Sequence, residues 1–492
     1  MASSPTTMYS EILRRDFSAF VHRSFLELNG QASFLSNWHL EVLAAKLEDV
    51  RHGRCRRLII NIPPRHLKSH TATIAFPAWL LGHDPSKRIL TVSYAQDLSD
   101  KLARDSRALM TSPFYQALFD TRLSLDRQAV GEFETTEGGY RFSSSVHGVL
   151  TGRGADIIIV DDPQKADEAL SDTRRNSLNE WYDSVLRTRL NSQEQGAIIL
   201  VMQRLHADDL VAHVQEHEVW DVVSFPAIAV EDADYDVSTP YGRRRVHRLE
   251  GEVLQPALLS PTTLETLRES MTAYHFAAQY QQNPTPREGN MVKAEWLKFY
   301  DPGSEPTFIR TFQSWDTANK AGDLNDFSVC TTWGVRGGRK QREYYLLDVF
   351  RKRLIFPDLK RAVIEQRNLF PRSVVIIEDN ASGTQLIQEL KREGGMLIKP
   401  YLPPAGTDKE IRVDAQSIHF ENGRVFLRRP APWLKDYVAE LTGFPNTKYD
   451  DQVDSTIQFL DYMRQPGAMP MVISDEVLRQ LAIPNPRRFP GY

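Results

Sequence analysis

From residue 35 to about 230, short apolar runs (RLIINI, RILTVSYA, ADIIIVDD, GAIILVMQ and VVSFPA) alternate with longer stretches whose apolar positions recur at helical spacing. Val/Ile-rich runs of this length read as buried strands, and strand–helix alternation predicts a doubly wound, mostly parallel sheet with helices on both faces. Residues 231–262 break the pattern with charge and proline and read as a surface excursion. A helix around LETLRESMTAYHFAAQYQQ then closes this first part. The stretch NPTPREGNMVKAEW, 283–296, is dense in breakers and reads as a linker. Beyond it the grammar changes. Strands near 311–317, 327–334 and 343–350 follow in quick succession, the last two joined by RGGRK and therefore antiparallel. Helix and strand then alternate through SVVIIED and MLIKPY to a final helix, DDQVDSTIQFLDYM. The pattern predicts an α/β chain of two domains, 1–282 and 309–470, with a linker over 283–308 and a tail over 471–492.

Length and composition agree with two domains. At 492 residues the chain exceeds one ordinary core. Its 41% hydrophobic and 25% charged residues are those of a globular protein, and no apolar run of about 18 residues is present to span a bilayer. No apolar segment follows the N-terminal charges, so no secretory signal is expected. The two cysteines, Cys55 and Cys330, exclude a disulfide framework and a cysteine-based zinc site. A net charge of -4 argues against a passive, histone-like nucleic-acid binder, although RHGRCRR, GRRRVHR and RGGRKQR allow local basic patches.

The stretch RRLIINIPPRHLKSHTATIAFPAWLL has the layout of a phosphate-binding loop: apolar strand, tight turn, Lys68 and Ser69, then an apolar helix. Such a loop cradles phosphate with backbone N–H groups, neutralises it with the lysine and holds Mg²⁺ with the hydroxyl. The two glycines of the pattern are replaced by Ile62 and Leu67. An apolar strand ending in Asp161 and Asp162 supplies the carboxylates that ATP hydrolysis needs. The first would hold Mg²⁺, and the second would orient or deprotonate the attacking water. A third strand ends at Gln203, Arg204 and His206, where a γ-phosphate sensor would sit, since ligands gather at the carboxyl ends of a parallel sheet. Arg65, His66 and His70 flank Lys68 and Ser69 and are ATP-binding candidates with them. Arg153, just ahead of the Asp-Asp strand, is a candidate charge stabiliser.

In the second domain, carboxylates at strand ends point to metal-dependent phosphodiester cleavage. Asp316 ends the first strand. Glu378 and Asp379 end the fourth, and because adjacent residues face opposite ways one of them, Glu378 by preference, enters the site. The closing helix opens with Asp450, Asp451 and Asp454, of which Asp451 and Asp454 are i and i+3 and share a face. A βββαβα order with acids at these points fits an RNase H-like fold cutting with two Mg²⁺ or Mn²⁺ ions.

Together with NWHLEVL, LTGRGADIIIVDDPQKADEA, MQRLHADDL, FAAQYQQNP, SWDTANK, IEDNASGTQLIQEL and YDDQVDS, these motifs make residues 35 to 465 resemble the large terminase subunit of tailed bacteriophages. The resemblance implies an ASCE-type P-loop ATPase joined to an RNase H-like nuclease. Such an enzyme drives double-stranded DNA into a procapsid and cuts the concatemer. The implied partners are a small terminase subunit, the portal protein and further copies of the chain in a ring on the procapsid. The implied location is the bacterial host cytoplasm, transiently at the portal. An arginine donated between subunits, Arg153 or Arg65, and a base contact from Trp38 and His39 are implied as well. Family members commonly have deviant phosphate loops, but Leu67 is bulkier than usual and Asp162 replaces a more frequent glutamate. Two other readings stay open. One is a helicase-like ATPase–nuclease of DNA repair, although a second RecA-like domain is not visible. The other is a nuclease on a degenerate, non-hydrolysing ATPase scaffold.

Overall fold

The computed structural model describes residues 5–30, 32–150, 152–284, 291–317, 327–338, 341–380, 382–403, 408–447, 449–465 and 467–469. The expected tail, 471–492, lies outside them, as do residues 285–290 of the expected linker. The chain divides into two compact units, Met1–Arg287 and Glu288–Tyr492. Among the described residues no helix is long and apolar enough to cross a membrane.

The first unit is built on an eight-stranded sheet. Its strands are β1 (Arg57–Asn61), β2 (Arg88–Ser93), β3 (Leu123–Gln128), β4 (Glu132–Thr135), β5 (Tyr140–Ser145), β6 (Ile157–Asp161), β7 (Ala197–Met202) and β8 (Asp221–Ser224). They lie in the order β3-β4-β5-β2-β6-β7-β1-β8. The pairs from β5 to β8 are parallel, and β3 and β4 extend the sheet antiparallel. Every residue of β6 and β7 is buried. Their Ile/Val runs therefore pack on both faces, as interior parallel strands require. Alternate side chains sort the layers: Ile157 and Ile159 join the core beneath the helix that follows β1, while Ile158 and Val160 face the opposite layer. By that parity Asp161 leaves the strand on the side of the helix after β1. β7 lies between β1 and β6, which sets the residue after it between the Lys68 and Asp162 strand ends.

β3, β4 and β5 were not anticipated, because LSLDRQ, EFET and YRFSSS are short and polar and carry little apolar signal. The excursion after β8 is ordered as an antiparallel hairpin of β9 (Ala233–Thr239) and β10 (Gly242–Arg248).

The second unit holds a seven-stranded sheet of β11 (Lys298–Tyr300), β12 (Arg310–Asp316), β13 (Ser328–Arg336), β14 (Glu343–Lys352), β15 (Val374–Glu378), β16 (Leu397–Tyr401) and β17 (Val425–Arg428). Their order is β11-β17-β14-β13-β12-β15-β16. The β12–β13–β14 meander is antiparallel, while β15 pairs parallel with β12. Lys298–Tyr300, within the stretch read as linker, pairs instead with β17.

Helices Phe356–Leu369 and Ser382–Glu393 cover one face through Leu359, Val363, Leu386 and Leu390, packed against Trp315 and Ile377. The closing helix Asp451–Arg464 covers the other, where Phe459 stacks on Trp333 with ring centroids 4.8 Å apart. Ser455 fixes that helix over the strand ends. Its Oγ donates to the Ser314 carbonyl at 2.8 Å and accepts from the Thr331 N–H at 3.1 Å.

Candidate active sites

The phosphate loop leaves β1 and curls without glycine. Arg65 and Leu67 both sit in left-handed backbone conformations, at φ 70° and 61°. For side-chain-bearing residues this costs roughly 1–2 kcal/mol each. Leu67 occupies the position where the common loop has its second glycine, so the turn keeps its shape although the residue type has changed. The helix that follows begins with a π-helical stretch, His70–Ala75, entirely buried. Such wide turns concentrate at functional sites.

Lys68, nearly buried, donates from Nζ to Asp162 Oδ1 at 2.6 Å and to Gln203 Oε1 at 3.1 Å. Asp161 is buried and accepts two hydroxyls, Ser69 Oγ at 3.1 Å and Thr73 Oγ1 at 2.7 Å. Burial, and then the charge of Asp162, push its carboxyl up to about 6 against the opposing pull of Lys68. A buried carboxylate held by hydroxyls and resisting ionisation is suited to a cation, and Ser69 and Asp161 are the residues that would hold Mg²⁺ here. Asp162 has φ 45°, and its backbone is tied to both neighbours: its N–H donates to the Val201 carbonyl and its carbonyl accepts from Tyr94 N–H.

Two members of this cluster escaped the sequence reading. Thr73 is a polar residue within an apolar run, which was its only signal. Arg141, on β5, is fully buried and donates to Ser143 Oγ at 2.5 Å and the Thr73 carbonyl at 3.3 Å. Burial lowers its guanidinium to about 9, opposed by the charge of Asp161.

Other candidates are placed elsewhere. His70 is turned into the core, its Nε2 near the Val21 carbonyl and Ser24 Oγ, both at 3.2 Å, and burial pushes it down to about 4. One residue of helix rotates a side chain by about 100°, so Ser69 and His70 cannot serve the same ligand. Arg153 pairs with Glu132 at 2.6 Å rather than with any member of the Lys68–Asp162 cluster. Arg204 turns to Asp209 at 2.9 Å, leaving Gln203 alone of its group on Lys68. Arg65 is exposed. His66 and His39 are buried with ring centroids 5.7 Å apart, and His39 is driven down to about 3 by burial and the neighbouring His66. Trp38 packs on Tyr235 and Phe225 at 4.8 and 5.5 Å.

In the second unit, register sets Trp315 opposite Ile377, and so Asp316 and Glu378 leave adjacent parallel strands together. Both share strand parity with Phe312, Val374 and Ile376, which face the closing helix. Asp379 has the other parity and accepts from Thr384 Oγ1 at 2.8 Å, serving the start of the next helix instead of the metal site proposed for it.

Burial pushes the Asp316 carboxyl well above the usual range, reinforced by the charges of Asp454, Glu378 and Asp451 and opposed by Lys409. Asp454, placed only among the metal ligands, is therefore the foremost charged neighbour of Asp316. Burial raises it to about 6 although Lys409 opposes the shift. Lys409 Nζ donates to both Asp450 and Asp454. Asp450 thus faces the lysine. Asp451 pairs with Arg351 at 3.4 Å, and the same guanidinium reaches Glu440 at 3.4 Å and lies over the Phe327 ring at 4.1 Å. Carboxylates forced together against their own repulsion are hard oxygen ligands, so Asp316, Glu378, Asp454 and Asp451 fit Mg²⁺ or Mn²⁺. Lys409, Arg351 and Glu440 were not anticipated, since a charged residue in a polar segment is indistinguishable from a solvated one.

Residues 313–462 match the family described as the terminase RNaseH-like domain. No curated protein matches the chain. Among solved structures, the chain is similar to the large terminase of a thermophilic bacteriophage in complex with ADP, at 11% identity over 85% of this chain and 98% of that one, with a TM-score of 0.47. It is similar to the large terminase of bacteriophage HK97 at 12% identity, over 88% of this chain and 96% of that one, TM-score 0.34. It is also similar to the large terminase nuclease of thermophilic phage G20c with bound magnesium, at 14% identity over 36% of this chain and 98% of that one, TM-score 0.28. The family match spans the strands and the closing helix that carry Asp316, Glu378, Asp451 and Asp454, so the second unit of this chain holds a terminase RNaseH-like domain.

Proposed function

We propose that this chain hydrolyses ATP on its first unit to move double-stranded DNA into a procapsid, and cuts that DNA on its second. The observation that carries the reading is the convergence of carboxylates in each unit: Asp161 and Asp162 beside Lys68 in one, Asp316, Glu378, Asp451 and Asp454 in the other.

In the ATPase reaction, Lys68 leaves Asp162 for the phosphates of ATP. The released Asp162 carboxylate orients the attacking water and accepts its proton. Gln203 and the Ser69 hydroxyl hold position around the same centre. In the nuclease reaction, divalent cations would activate the attacking water and steady the leaving oxygen. Asp316, Glu378 and Asp454 hold the oxygen-ligand framework, and Arg351 sets the orientation of Asp451. The proposed partners are duplex DNA, a small terminase subunit, the portal and further copies of this chain, acting in the bacterial cytoplasm and at the procapsid.

The test is a pair of variants of the full chain. Lys68→Ala should abolish ATP turnover and DNA packaging while plasmid cleavage with Mn²⁺ persists. Asp316→Asn should abolish cleavage and spare ATP turnover. Loss of both activities in either variant, or of neither, refutes the assignment.

A further inference from the structure

A cluster outside both carboxylate centres is equipped for a different kind of ion. The helix Leu210–His217 in the first unit buries Leu210, Val211 and Val214 and turns His213, Glu216 and His217 outward. His213 and His217 are one helical turn apart, so they share a face. Their rings lie 5.1 Å apart, at 80° to each other. One ligand atom from each of His213, Glu216 and His217 lies within 4.8 Å of the others. Three ligands around a tetrahedral Zn²⁺, with bonds of about 2.0–2.1 Å, sit about 3.3 Å apart. Rotamer changes of the exposed Glu216 and His217 cover that difference.

A second observation points to a ligand role for His213. Its Nε2 lies 2.8 Å from Asp183 Oδ2, a residue of the separate segment Tyr182–Leu186. A carboxylate that accepts from one imidazole nitrogen fixes the tautomer and directs the lone pair of the other nitrogen outward, the arrangement that orients metal-ligating histidines. The neighbouring Glu218 is engaged elsewhere, on Arg57 at 2.9 Å.

We infer that His213, Glu216 and His217 form a binding site for a borderline divalent cation of the Zn²⁺, Co²⁺ or Ni²⁺ class, with Asp183 as a positioning residue. Two imidazoles and one carboxylate favour these ions over Mg²⁺, which demands oxygen and keeps its water. An ion bound there would pin the helix to the Tyr182–Leu186 segment.

The experiment uses the full chain carrying Asp316→Asn and Asp454→Asn, so that the nuclease carboxylates do not contribute. After chelation it is dialysed against Co²⁺, with bound metal and the visible absorption of nitrogen-ligated Co²⁺ as readouts. One equivalent should bind with that absorption, should survive millimolar Mg²⁺, and should be lost in the added His213→Ala/His217→Ala variant. Adding Asp183→Asn instead should weaken binding by about 10- to 100-fold. Equal binding with and without the two histidines, or displacement by Mg²⁺, overturns the inference. If the double-histidine variant fails to fold by circular dichroism, Glu216→Gln at an exposed position decides. It must bind more weakly, and unchanged binding overturns the inference too.

Discussion

Lys68 and Asp162, 94 residues apart in sequence, meet in an ion pair of 2.6 Å at the ends of two strands separated by a third. The lysine that should neutralise phosphate therefore holds the carboxylate that should handle the attacking water. The pair keeps a buried ammonium satisfied, and in the proposed reaction it keeps the base occupied until the phosphates displace it. Asp162→Asn should lower ATP turnover by about 10² to 10⁴, the usual contribution of a general base, while nucleotide binding persists or tightens because Lys68 is freed. Turnover and nucleotide affinity measured on the same preparation check this. A variant that no longer binds nucleotide would show that Asp162 builds the site instead.

Leu67 tests whether the missing glycine matters. At φ 61° a leucine pays about 1–2 kcal/mol relative to a relaxed backbone, whereas glycine loses about 0.5–1 kcal/mol of chain entropy. The two terms leave Leu67→Gly between neutral and about 1.5 kcal/mol stabilising, with ATP turnover retained. Thermal unfolding of the variant checks it, and a loss of several degrees would mean that the half-buried leucine side chain contributes packing that outweighs its strain.

That loop also shows what was legible in the sequence. Asp161, Asp162, Asp316 and Glu378 were readable because each stands where an apolar strand stops, and Lys68 and Ser69 because they open an apolar helix after a tight turn. Parity separates Glu378 from Asp379, but only once the partner strand is known to carry Asp316 on the same face. Backbone conformation was not readable, since the left-handed Leu67 is dictated by surrounding packing and has no compositional trace. Nor were partners brought in by tertiary packing: Arg141 lies on an ordinary polar strand, and Thr73 is one hydroxyl among apolar neighbours. His70 adjoins Ser69 in sequence, but helical rotation turns it to the Val21 carbonyl and Ser24 in the core.

The raised carboxylates of the second unit predict that the metal-free protein is pH-sensitive. Asp454 has its carboxyl raised to about 6 from an ordinary 3.8, and Asp316 is held well above the ordinary carboxylate range. A raised acid binds its proton more tightly when folded, so its stabilising contribution is complete below about 3.8 and is lost as pH rises through the raised value, about 6 for Asp454. At pH 8 without divalent ions, Asp316→Asn should therefore unfold at a higher temperature than the parent, by about 2–4 °C for each kcal/mol relieved. The gap should close on acidification. Mn²⁺ should stabilise the parent and leave the variant little changed. A variant less stable than the parent at pH 8 in EDTA would contradict the crowding of charge inferred here.

Lys409 offers the sharpest test of the cation site. Its ammonium donates to Asp450 and Asp454, and its charge opposes the raised carboxyl of Asp316, so a monovalent cation already stands among the proposed ligands. A divalent ion entering beside it meets repulsion. At an effective dielectric near 20, a unit charge and a doubly charged ion about 6 Å apart repel by several kcal/mol before screening and side-chain movement reduce it. Swinging the long lysine stem aside recovers most of that, leaving roughly a tenfold effect on affinity. Lys409→Gln should thus bind Mn²⁺ about tenfold more tightly by calorimetry. The benefit should disappear when Asp454→Asn is added, because the two residues act on one site and their effects do not add. Weaker Mn²⁺ binding by Lys409→Gln would instead make the lysine a clamp that holds Asp450 and Asp454 in place for the metal, and the same double-variant comparison separates the two roles by the sign of the coupling.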